Sequence, residues 1–145
     1  MEKFKFRLDK VLEYREKIED LSKAEYGKAK KNLDDEINLL NEILSHIDSI
    51  NCERDKIAAS TTIKDLRNYN LYLGKVKERL NYQKNAVERA QIKADIARNK
   101  LITSSIEKKT LESLKDRDFN NYLYRMQKEE EKIIDQVVSY KSSMR

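Results

Sequence analysis

LRNYNLYLGKVKERLNYQKNAVERAQIKADIARNKL, residues 66–101, decides the fold. Leu66, Tyr69, Leu73, Val76, Leu80, Gln83, Val87, Ala90, Ala94, Ala97 and Leu101 recur at alternating steps of three and four, and only Gln83 interrupts their apolar character. That spacing holds a narrow apolar stripe on one side of an α-helix, which is the seam of a coiled coil. Such a stripe needs a partner, and one lies upstream: Leu33, Ile37, Leu40, Leu44, Ile47, Ile50 and Ile57, with Arg54 the one charged residue on it.

Between the two ladders, Ala59-Ser60-Thr61-Thr62-Ile63 replaces good helix formers with hydroxyl and β-branched residues, so the chain turns there. Thr62 followed three residues on by Asp65 resembles a capping box, with the Thr62 hydroxyl placed to accept an orphan N–H of a new helix. The reading is an all-α chain: two long helices forming an antiparallel coiled-coil hairpin with unequal arms. It predicts one coiled-coil domain over 1–145, with helix one about 7–58, the turn about 59–63 and helix two about 64–142. An antiparallel hairpin then pairs Ile57 with Ile63, Ile47 with Leu73, Leu44 with Val76, Leu40 with Leu80 and Leu33 with Val87, while Ile50 meets Tyr69 slightly offset. Ile37 meets Gln83, and bulky Tyr26 meets small Ala94. Arg54 faces Leu66 near the turn, where its stem can lie on the seam and its head reach water.

Composition agrees. Charged residues make up 39% of the chain and hydrophobic ones 39%, which is poor material for a thick core. There is no proline, and Gly27 and Gly74 are the only glycines, so helix breakers are nearly absent. The 31 basic and 26 acidic residues are interspersed, and the net charge of +5 requires no nucleic-acid partner. Pairs such as Glu13 with Lys17 and Glu19 with Lys23, four apart and acid first, support exposed helix. One cysteine cannot form an internal disulfide, and MEKFKFRLDK lacks the apolar run of a signal peptide, so the chain reads as cytoplasmic. No stretch approaches the roughly 20 apolar residues of a membrane span, which leaves membrane contact that is peripheral or made through a partner.

At the rise of an α-helix the first arm would run roughly 80 Å and the second roughly 120 Å. Continuing the register puts Phe4 opposite Asp116, so residues after about Arg117 find no partner in their own chain. That overhang carries Phe119, Tyr122, Leu123, Met126, Ile133, Val137 and Tyr140 at helical spacing, interrupted where Glu129 and Glu130 fall on the stripe. A bare apolar stripe of that length is a docking surface or an oligomer seam.

Nothing points to catalysis. There is no glycine-rich phosphate loop or nucleophile elbow, and a two-helix hairpin offers no deep pocket. His46 with Glu42 makes half a metal site at most, and Cys52 has no catalytic histidine at useful spacing, so neither metal nor cofactor is expected. Glu129-Glu130-Glu131 beside Lys128 and Lys132 reads as a solvated helix face. Lys28, Lys30, Lys31 and Lys93 near Tyr26 make a basic region, but Asp34, Asp35 and Glu36 follow it at once and no row of aromatic platforms is present. Tyr69, Tyr72 and Tyr82 cluster toward the turn; Tyr72 is off the seam and so points partly outward, either as a contact residue or as a cover for the seam.

The opening Phe4-Lys5-Phe6-Arg7-Leu8-Asp9-Lys10-Val11-Leu12, followed by Tyr14-Arg15, resembles the start of the FliJ family, coiled-coil components of the flagellar type III export apparatus. The resemblance continues in Tyr69-Asn70-Leu71-Tyr72-Leu73, in Glu107-Lys108-Lys109-Thr110-Leu111-Glu112-Ser113-Leu114 and in Glu129-Glu130-Glu131-Lys132-Ile133-Ile134-Asp135. It implies a non-enzymatic stalk that enters the centre of the hexameric export ATPase, with the overhang as the inserting end, at the inner face of the cell membrane at the flagellar base. It also implies contact with the membrane export gate protein and with export chaperones. The gate-contacting positions fall on Tyr72, Val76, Arg79 and Gln83, with Arg79 a charged departure from a small residue. Alternatives are a homodimeric coiled-coil scaffold and the equivalent stalk of a virulence secretion system.

Overall fold

The computed structural model describes residues 2–144; the ends of the expected domain, Met1 and Arg145, lie outside the described residues. The chain is all-α: α1 spans Asp9–Ile57 and α2 spans Ile63–Ser143, packed against each other without any strand among the described residues. Both helices continue without interruption past Gly27 and Gly74, neither of which has a positive φ. The contacts fall into two compact units, residues 22–101 and residues 1–21 with 102–145.

The first unit is a helical hairpin that holds the turn. Its cores are thin, as the seam spacing dictates. Near the turn Ile47, Ile50, Leu73 and Val76 are buried, with Ile43, Tyr69 and Leu80 against them. Further along, Leu33 packs on Ala90 and Ala94, with Ala29, Ile37 and Val87 beside them. Small alanines opposite leucine keep the seam filled without thickening it.

Two expected seam residues lie elsewhere. Leu44 is 40% exposed, and Ile43 takes its place in the core. The helix has 3.6 residues per turn, so a stripe drifts around it relative to a strict heptad. With Ile47 and Ile50 both buried, the inward side one turn before Ile47 is that of Ile43. Ile63 does not meet Ile57; it is 87% exposed as the first residue of α2, and the seam of α2 starts with half-buried Leu66.

The turn, residues 58–62, is closed by local bonds. The Ser60 N–H donates to the Ile57 carbonyl at 3.0 Å, and the Leu66 N–H donates to Thr62 O at 3.2 Å, the first bond of α2. Thr62 caps that helix as its position predicts, its hydroxyl accepting from the Asp65 N–H at 3.3 Å. The reciprocal half of a capping box is absent, because the Asp65 carboxylate instead accepts from the Thr61 hydroxyl at 3.2 Å.

In the second unit the N-terminal part of α1 pairs with the middle of α2 through both apolar and charged side chains. Phe6 and Leu12 are buried. Arg15 bonds Glu107, Lys108 bonds the buried Glu19 at 2.9 Å, and Lys115 bonds Asp9 at 2.9 Å. Residues 2–6 are not helical; a turn at 7–8 leads into α1, whose first acid, Asp9, suits the positive end of the helix.

This lead-in overturns one expectation. Phe4 does not stop opposite Asp116 but packs edge-on against Phe119, ring centroids 5.2 Å apart, and against Tyr122 at 5.5 Å. The Tyr122 hydroxyl donates to the Glu2 carbonyl at 2.6 Å. An extended strand advances roughly 3.3 Å per residue against about 1.5 Å for a helix, so five non-helical residues reach farther than a helical register allows. The stretch of α2 uncovered by its own chain therefore begins after Met126, not after Arg117: Met126 is half-buried and every described residue from Gln127 on is exposed.

Candidate functional site

Two surfaces carry side chains suited to partners, one in each unit. The first is the C-terminal third of α2. Of the residues expected there, Phe119 and Tyr122 are engaged by Phe4, and their rings also face one another with centroids 6.4 Å apart. Leu123 is 46% exposed beside them. Ile133, Val137 and Tyr140 are all open to solvent, joined by Ile134, Val138 and Met144, which seam spacing alone did not single out. Those additions widen the stripe: Ile134 and Val138 lie one residue beyond Ile133 and Val137, so the apolar face is broader than a two-stranded seam. Glu129, Glu130 and Glu131 are solvated, and Lys128 reaches Glu131 at 3.6 Å.

The lead-in borders this surface. Its Lys3, Lys5 and Arg7 stand around an open groove with Arg125, Asp118 and Glu129. The signal that could have found it is the alternation Lys3-Phe4-Lys5-Phe6-Arg7, a period of two that puts both phenylalanines on one side of an extended chain.

The second surface is in the hairpin unit. Val76, Arg79 and Gln83 come together along a shallow groove of ≈ 690 Å³ that Leu39, Ile43, His46 and Tyr82 also line. Val76 and Gln83 form its floor, since they are buried at 2% and 8% exposure. Arg79 is exposed at its edge. Tyr72 stands half out of the structure, and its hydroxyl lies 2.9 Å from His46 Nε2 with the two rings edge-to-face. His46 thus has a partner across the hairpin that its isolated place in the sequence gave no sign of. Gln83 is held by its amide, which donates to the Glu36 carbonyl at 2.9 Å and also to the Glu36 carboxylate. Near the turn, Arg54 is half-buried and donates to the Asn70 side chain at 3.2 Å.

Two lysines of the second unit are held above their usual value by carboxylates. Acceptance by Glu19 holds the Lys108 ammonium above its usual 10.5, with the negative charges of Glu19, Glu112 and Glu16 adding to this and burial opposing it. Asp9 raises Lys115 in the same way, by its hydrogen bond first. The two ion pairs, Lys108 with Glu19 and Lys115 with Asp9, join the helices in this unit. Among the described residues no group of three or more His, Cys, Asp or Glu side chains could hold a metal, and Cys52 is exposed. Among them, too, no helix is long and apolar enough to cross a membrane.

Compared with known families, the chain matches the one described as "FliJ: Flagellar FliJ protein" over residues 4–145. No curated protein and no solved structure matches it. The match takes in the lead-in from Phe4 on, both helices and both surfaces. The chain belongs to the FliJ family, non-enzymatic components of the flagellar protein-export apparatus.

Proposed function

We propose that the chain is the stalk of that apparatus, and that the exposed face of α2 beyond Met126 docks in the centre of the hexameric export ATPase. The observation that carries this reading is the run Ile133, Ile134, Val137, Val138, Tyr140 and Met144, 49–70% exposed with no cover from its own chain. Lone apolar residues on a surface need no explanation, but a contiguous stripe on a rigid helix does. Phe119, Tyr122, Leu123 and Met126 continue the same face toward the lead-in.

A shaft inside a ring acts through binding energy. An asymmetric helical pair touches six subunits unequally, and unequal contact favours one subunit conformation over another, which biases assembly or the order of turnover. The hairpin unit then serves the export gate: Tyr72 and Arg79 supply exposed contacts, and buried Val76 and Gln83 form the floor of the groove at whose edge Arg79 stands. Export chaperones are further partners on this reading, which places the chain in the cytoplasm and at the membrane only through the gate.

Turnover of the export ATPase, measured alone, with the full chain and with a chain ending at Met126, tests this. The full chain should co-purify with the ATPase and raise its turnover, and the shortened chain should do neither. Equal stimulation by both would overturn the proposal.

A further inference from the structure

The exposed end of α2 is complementary to itself when reversed. Ile133 and Val138 are equidistant from the Asp135–Gln136 bond; so are Ile134 and Val137, and so are Glu130 and Lys141. All six are exposed, and they lie on one continuous helix. When two such helices run antiparallel about a two-fold axis at that bond, each isoleucine faces a valine of the second copy. Each Glu130 then faces the second copy's Lys141, twice over by symmetry. In a parallel pair the same register sets Glu130 against Glu130 and Lys141 against Lys141, which is repulsive on both flanks. The charge pattern therefore selects one orientation.

We infer that the free chain forms an antiparallel dimer through residues 130–141, with a second copy of this chain covering the apolar face. The interface is isologous, so the two-fold pairing closes at two copies. Its three turns of helix are short, which makes the dimer weak, with dissociation in the micromolar range. Because the pairing covers Ile133 and Val137, a chain in the dimer cannot present them elsewhere; self-association and the ATPase docking proposed above exclude one another. The dimer does not depend on that docking and is read on the free chain alone.

Sedimentation equilibrium of the full chain from about 1 to about 200 μM tests the inference, spanning the micromolar range expected. E130K and K141E each turn two attractive flanking pairs into two repulsive ones and should weaken the dimer about tenfold. The double variant E130K/K141E restores opposite charges across the axis and should return the dissociation constant to the wild-type value. All the substituted positions are exposed, and far-UV circular dichroism should show unchanged helix content. A chain that stays monomeric across the range overturns the inference. So does a dimer that ignores the single swaps, or one that the double swap fails to restore.

Discussion

Phe4→Ala separates the lead-in from the two helices. Phe4 precedes α1 and is half-buried against the rings of Phe119 and Tyr122, at 5.2 and 5.5 Å. Each aromatic pair contributes about 0.5–1.5 kcal/mol beyond burial, and burying about half a phenylalanine side chain adds about 1 kcal/mol. Because the site is open on one side, the low end applies, and truncation should cost about 2 kcal/mol of local stability, or about 30-fold in the opening equilibrium. Only the lead-in should open, since the Phe4 side chain belongs to neither helix. Trypsin at low concentration reads that opening, because Lys3, Lys5 and Arg7 lie in or beside it and slow cleavage follows the population of the open form. Cleavage at those residues should accelerate about 30-fold in the variant, with far-UV helix content unchanged. An unchanged cleavage rate would refute the docking of the lead-in. Loss of helix content would refute its independence from α1.

Gln83→Ala should lower unfolding stability in urea by about 1–3 kcal/mol, since it leaves a gap where the amide met Glu36. Gln83→Leu should raise it by about 0.5–1.5 kcal/mol, because the Glu36 carbonyl keeps its helical donor and its carboxylate turns to water. Gly74→Ala and Gly27→Ala should each stabilise the chain by about 0.8–1 kcal/mol in the same assay, as a Cβ at either site meets nothing within 4 Å and neither φ is positive. Lys108→Gln compared with the parent across pH tests the Glu19 pair. A folded-state value raised above 10.5 means that the pair's contribution is whole below 10.5 and is lost as pH climbs through the folded value. The difference in urea midpoint should thus stay constant up to 10.5 and shrink above it.

The pairing of the helices was legible because it rests on spacing that only a helix can use. Leu73, Val76, Ala90 and Ala94 are buried where the ladder places them, and Thr62 caps α2 through the backbone atom its position implies. Ile43 and Leu44 are one residue apart, and steps of three or four admit both; only the drift of the stripe around a real helix chooses between them. Ile63 is apolar but stands at the first position of α2, ahead of the seam. Phe4 reaches Phe119 because the residues before α1 are not helical, and a register extended at helical rise does not apply to them. At the candidate surfaces, the exposed stripe could be read from the sequence, but the bond between His46 and Tyr72 could not. It joins residues 26 positions apart whose meeting depends on the rotation of both helices.

The affinity of the hexameric export ATPase for the full chain, measured for the parent and for Ile133→Asp with Val137→Asp, bears on the central claim directly. Both residues are exposed, so the helix should keep its content, while two carboxylates in a buried interface should weaken binding by at least about 100-fold. Binding of the double variant as tight as the parent's would contradict the account.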